Sequence, residues 1–182
     1  MGVNWSQGLM RWMPFTEVNG RQYPLNHLHP FRFNLQLSET VNVEIRVAFA
    51  MHCFTRSCAD GEDPAQFYKD ARETRAFCPD RYALSSRLPA IARELATRKC
   101  GFAKDENYVT IDVQAEAGET TRYGVFFNVR QVKDADGPAV LLTIQSAYEL
   151  APNKQLPTRG DIKFKTLIGL ILKGVKPRPP RN

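Results

Sequence analysis

Three successive runs within residues 108–148 alternate apolar and polar side chains, and this period of two constrains the fold more than any other feature. Val109, Ile111 and Val113 alternate with Tyr108, Thr110 and Asp112; Tyr123, Val125, Phe127 and Val129 alternate with Arg122, Gly124, Asn128 and Arg130. In the third run Val140, Leu142 and Ile144 share one parity, and Thr143 and Gln145 the other. Successive side chains of a strand point to opposite faces, so the pattern predicts three half-buried strands in an antiparallel meander. Gly118 and the turn-forming residues 134–138 separate them.

A second alternation predicts a hairpin upstream. Phe31, Phe33, Leu35 and Leu37 precede a turn at 38–40, after which Val41, Val43, Ile45, Val47, Phe49 and Met51 repeat the period. Between hairpin and meander, Asp63-Pro64-Ala65-Gln66 has the composition of a helix start: a capping acid, proline in the first turn and glutamine three residues after the cap. Phe67, Tyr68, Ala71 and Thr74 would be its inner side. Cys78-Pro79 is read as an interruption, and Leu88, Ile91, Ala92, Leu95 and Ala96 give the stripe of a second helix. Residues 162–172 predict a short C-terminal helix.

The expected architecture is therefore α+β: an antiparallel sheet of about five strands, made of the N-terminal hairpin and the C-terminal meander, with two central helices and a short C-terminal one. Residues 1–20, with Trp5, Trp12, Met10, Met13 and Phe15, show no clean period and are read as an arm that docks on the domain or on a partner. Residues 21–172 form the single domain. Residues 173–182, where Lys176, Arg178 and Arg181 stand among prolines, form an extended basic tail.

Lysine and arginine number 25 against 19 acids, a formal charge of +6, which favours phosphate-rich partners. No apolar run approaches the roughly 20 residues of a membrane helix, so no membrane association is expected and the location is read as cytoplasmic. Cys53, Cys58, Cys78 and Cys100 are then reduced thiols. Together with His52 they could supply a tetrahedral zinc, but no tight Cys-x-x-Cys pair is present. Neither a metal nor a cofactor is expected. Nucleophile-elbow and phosphate-loop glycine motifs are absent from the sequence.

The polar parity of the meander carries the functional expectation. Arg122, Phe126, Asn128, Arg130 and Gln145 share an outward face, with an aromatic ring between two arginines. Arginine pairs with phosphate and an aromatic plane stacks a base, the combination by which single-stranded RNA is held on a sheet. The competing reading is that a helix covers this face and Phe126 is core. His52 is expected at a strand end on the face of Glu44 and Arg46. Ser146 and Tyr148 continue the inward parity of Ile144, and Arg75, Arg81 and Tyr82 are candidate partners for them.

Two helices followed by an antiparallel meander, with arginines and tyrosines facing the sheet, resemble the RelE/ParE-type toxin ribonucleases over residues 64–148. The resemblance implies cleavage by assisted attack of the RNA 2′-hydroxyl, with basic groups stabilising the developing phosphate charge. His52, Arg122, Arg130 and Tyr148 are the residues nominated for such chemistry. The alternative function is a non-catalytic interaction module or subunit of a larger assembly, contacting a protein partner through the N-terminal arm or the C-terminal helix.

Overall fold

A computed structural model describes residues 9, 11–103, 107–114, 120–133, 137–154, 156 and 159–179. Trp5, Met10, Gly118 and Arg181, and residues 134–136 of the turn expected at 134–138, lie outside the described residues. The strands are β1 (Phe15–Thr16), β2 (Gln22–Tyr23), β3 (Phe31–Gln36), β4 (Asn42–Phe49), β5 (Thr55–Arg56), β6 (Phe67–Lys69), β7 (Thr74–Phe77), β8 (Lys99–Phe102), β9 (Asn107–Gln114), β10 (Thr120–Val132), β11 (Ala139–Glu149) and β12 (Asp161–Lys163). The helices are α1 (Pro79–Ser85), α2 (Leu88–Glu94) and α3 (Phe164–Leu172).

Seven strands form the main sheet in the order β12-β8-β9-β10-β11-β4-β3, which curls into a half-barrel. The expected hairpin is β3–β4 and the expected meander is β9–β10–β11. The fold expectation is corrected in three respects. The sheet has seven strands, because β8 and β12 extend it beyond β9. It is mixed, because β11 pairs with β4 in parallel, Ala139 opposite Glu44 and Ile144 opposite Phe49. The first central helix does not exist.

At that place Asp63 does cap, accepting from the Ala65 amide, but only a single 3-10 turn, Pro64–Gln66, follows. Phe67 and Tyr68 then enter the hairpin β6–β7, which with β5 makes a separate three-stranded sheet. Tyr68 packs edge-on against Trp12 and Phe54, with centroids 6.0 and 5.0 Å away. Extended backbone lets β-favouring aromatics reach this cluster, and tertiary packing overrides a local helix signal. Cys78-Pro79 does not interrupt: Pro79 opens α1, where its missing amide hydrogen costs nothing. The RelE/ParE resemblance over residues 64–148 thus meets the hairpin β6–β7 where its first helix was expected, and the two helices that precede the meander are α1 and α2.

One core lies on the apolar face of the sheet. Val43, Ile45, Val47, Val125, Phe127 and Leu142 from the strands meet Leu88, Ile91 and Leu95 of the α2 region and Phe164, Leu167 and Ile168 of α3. Trp12 belongs to this core, donating from Nε1 to the Phe49 carbonyl at 3.0 Å. Phe15 stacks on Phe77 with centroids 4.1 Å apart. The aromatic residues 12 and 15 of the arm are therefore built into the domain, and the apolar side of α3 is covered by the sheet.

Candidate functional site

The site follows from strands of unequal length. β11 continues past β4: the last parallel pair is Ile144–Phe49, and among the described residues no strand lies beside residues 145–149 on that side. The 3-10 turn Met51–Cys53 and α1 fill the space. The Ala50 amide donates to the Ile144 carbonyl at 2.8 Å, and the Cys53 thiol contacts the same oxygen at 3.6 Å. His52 accordingly lies in this turn. It is not on a strand face with Glu44 and Arg46, because β4 has already ended.

A register shift between Phe126 and Phe127 leaves Gln145 as the extra residue of a bulge in β11. This reverses the expected parity beyond it. Ser146 pairs with Phe126 and Tyr148 with Gly124, so both point to the polar side of the sheet, while Ala147 points to the core. Phe126 in turn is only 6% exposed. It lies between Tyr108 and Tyr148, stacked on the latter with centroids 5.4 Å apart and planes at 14°. The covering expected from a helix comes from a row of three rings across β9, β10 and β11, and Phe126 offers no free face to a base. Tyr108 extends across Gly101, where an added Cβ would stand 2.4 Å from its ring.

Cations gather around Tyr148. The Arg81 guanidinium lies 5.0 Å from its centroid and the Lys154 ammonium 5.2 Å. Arg122 donates to the Lys154 carbonyl, tying the chain that leaves β11 back across β10. Arg81 is fixed by donation to the His52 carbonyl at 3.0 Å and the Thr55 carbonyl at 2.8 Å. Among the described residues, Arg81, Arg122 and Lys154 have no carboxylate within ion-pair distance. Burial lowers the Arg81 pKa, with Cys78 opposing and Arg75 adding to the effect. On the core side, the Tyr123 hydroxyl is buried without a hydrogen-bond partner among the described residues. Burial pushes its pKa well up, Cys53 adds to the rise, and Arg81 counters it.

The nominated residues do not form one centre. Tyr148 and Arg122 belong to the cationic cluster. The His52 backbone joins it through Arg81, but the His52 ring turns to Glu73, 2.9 Å away. Arg130 is eight positions from Arg122 on β10, about 26 Å along the strand. Asn128 is exposed between them. Among the described residues no three His, Cys, Asp or Glu side chains are close enough to hold a metal ion. Arg81 was legible as a partner of Tyr148 from its place near the helix junction. Lys154 was not, because nothing local in a loop sequence shows which ring it returns to.

Fold and site together define a curled mixed-sheet domain whose polar face carries a cationic cluster around an aromatic ring, with no carboxylate in ion-pair contact among the described residues. The YjaZ family model matches residues 14–172, and the chain belongs to the YjaZ family. No curated protein and no solved structure matches the chain.

Proposed function

We propose that the chain binds single-stranded RNA through its phosphates, at the cluster of Arg81, Lys154 and Arg122 around Tyr148. The supporting observation is charge without an ion pair: Arg81 is half-buried, held by two backbone hydrogen bonds and has no carboxylate partner among the described residues. A cation held this way has no ion-paired counter-charge among the described residues, and an external phosphate supplies one with charge-assisted hydrogen bonds. Tyr148 is occupied by Phe126 and two cations, so backbone contacts, which carry no sequence information, are the basis of recognition. Binding is favoured over cutting because Arg130 stands far from Arg122 and the His52 ring is engaged with Glu73. The proposed setting is the cytoplasm, consistent with four unpaired cysteines and with the absence, among the described residues, of a helix long and apolar enough to cross a membrane.

The test is fluorescence anisotropy with a short single-stranded RNA across a salt series, with the same RNA inspected for fragments. Each alanine substitution at Arg81, Arg122 or Lys154 should reduce the slope of log K against log salt by about 0.7 per phosphate contact removed. A slope unchanged in all three variants excludes this reading, and fragments would make the protein an enzyme.

A further inference from the structure

At its other end β10 outruns β9. The last pair is Phe127–Asn107, and residues 128–132 have no strand beside them on that side among the described residues. Among the described residues nothing fills this gap. A cavity of about 420 Å³ opens between this strand edge, α3 and the tail.

Its lining has two chemical characters. Val129, Ile171 and Pro177, all partly exposed, form its accessible apolar wall over the buried Phe102 and Leu167, while Arg159, Lys176 and Arg178 bring three positive charges, and among the described residues no carboxylate lines it. None of the three cations has an ion-pair partner among the described residues. Asn107 and Asn128 add amides; Asn107 spends its Nδ2 on the Gly101 carbonyl at 3.2 Å, leaving its oxygen to accept. The volume is within the roughly 300–1,000 Å³ typical of small-molecule sites.

We propose that this cavity binds a nucleoside phosphate. The phosphate would meet Arg159, Lys176 and Arg178, the flat apolar base would lie on the Val129–Ile171–Pro177 wall, and its polar edge would meet the two asparagines and the open edge of β10. A bare anion would leave the apolar wall unused, and an uncharged ligand would leave three cations with no counter-charge among the described residues. The same chemistry has two sources, a free nucleotide and the phosphorylated end of an RNA. This site is about 20 Å along β10 from Arg122, and it stands or falls separately from the Tyr148 cluster.

The experiment is calorimetric titration of the full chain with AMP, UMP, adenosine and inorganic phosphate, and with one short RNA carrying either a 5′-phosphate or a 5′-hydroxyl. Saturable binding of a nucleotide is expected, at least about tenfold tighter than adenosine or phosphate alone, the ratio that one charge-assisted contact represents. The double variant K176A/R178A and the single variant R159A should each weaken it by about tenfold or more, while R32A, a charge-matched change on an exposed side chain, should not. Tighter binding of the 5′-phosphorylated RNA identifies a strand end as the source; equal binding of both RNAs, with nucleotide bound, identifies the free nucleotide. No saturable nucleotide binding, phosphate binding as tight as nucleotide, or nucleotide binding indifferent to the tail substitutions overturns the proposal.

Discussion

The two central strands outrun their neighbours at opposite ends, and the chain treats the two vacancies differently. Beyond β4, the edge of β11 is closed with protein: the Ala50 amide and the Cys53 thiol meet the Ile144 carbonyl, α1 covers it, and Arg81 bridges two backbone oxygens. Beyond β9, the edge of β10 faces a cavity whose tail wall is exposed backbone and side chains. The first end holds its cations by hydrogen bonds and ring contacts, so position is set before any ligand arrives. The second holds its cations on flexible stems around empty volume. Substitutions at the closed end should therefore affect stability, and those at the open end should affect only what is bound.

The sharpest test of that contrast is Trp12→Ala. Trp12 is 2% exposed and packs edge-on against Phe54, so its loss should cost about 3–5 kcal/mol by urea denaturation. Next is Arg81→Ala, which leaves the His52 and Thr55 carbonyls without their donor. It should lower stability by about 1–3 kcal/mol in the same assay as well as weaken RNA binding. A loss of binding with no loss of stability would break the comparison. Gly101→Ala drives a methyl into the Tyr108 ring and should cost about 1–3 kcal/mol by disturbing the row that ends at Tyr148.

Alkaline pH gives a smaller effect. Burial pushes the Cys53 and Cys100 thiols up to about 12. A thiol held neutral in the fold but free to ionise when unfolded stabilises fully below the unfolded pKa of roughly 8.5, and that contribution is lost as pH rises through 9 towards 12. The urea midpoint should fall over this range, and fall less in a Cys53→Ala/Cys100→Ala variant compared with its own value at neutral pH. The smallest effect belongs to the open end. Truncation after Val175 should change stability by no more than about 0.5 kcal/mol while abolishing nucleotide binding.

Period-two alternation made the hairpin and meander readable, because burial of one face imposes it residue by residue. The parallel junction was not readable: Ala139 meets Glu44 through the geometry of the whole sheet, and neither sequence bears a mark of the other. At residues 63–69 the cap signal was genuine, but Tyr68 gains more by reaching Trp12 and Phe54 than by continuing a helix. The bulge at Gln145 hid the orientation of Tyr148, since one extra residue exchanges the faces of everything after it. The tail's basic residues were visible as charge; that they enclose a cavity with Phe102 and α3 depends on packing between distant segments.

The β4–β11 junction also governs the order of events during synthesis. Val43, Ile45 and Val47 leave the ribosome long before Val140 and Leu142, and at about 5–20 residues per second the wait is on the order of 5–20 s. For that interval β4 can pair with β3 alone, and its other edge is an apolar strand open to any passing chain. Such long-range closure belongs to slow-folding topologies. The nascent hairpin is therefore where a holding chaperone would act and where aggregation would start, and slowing translation between residues 49 and 139 should lower the soluble yield.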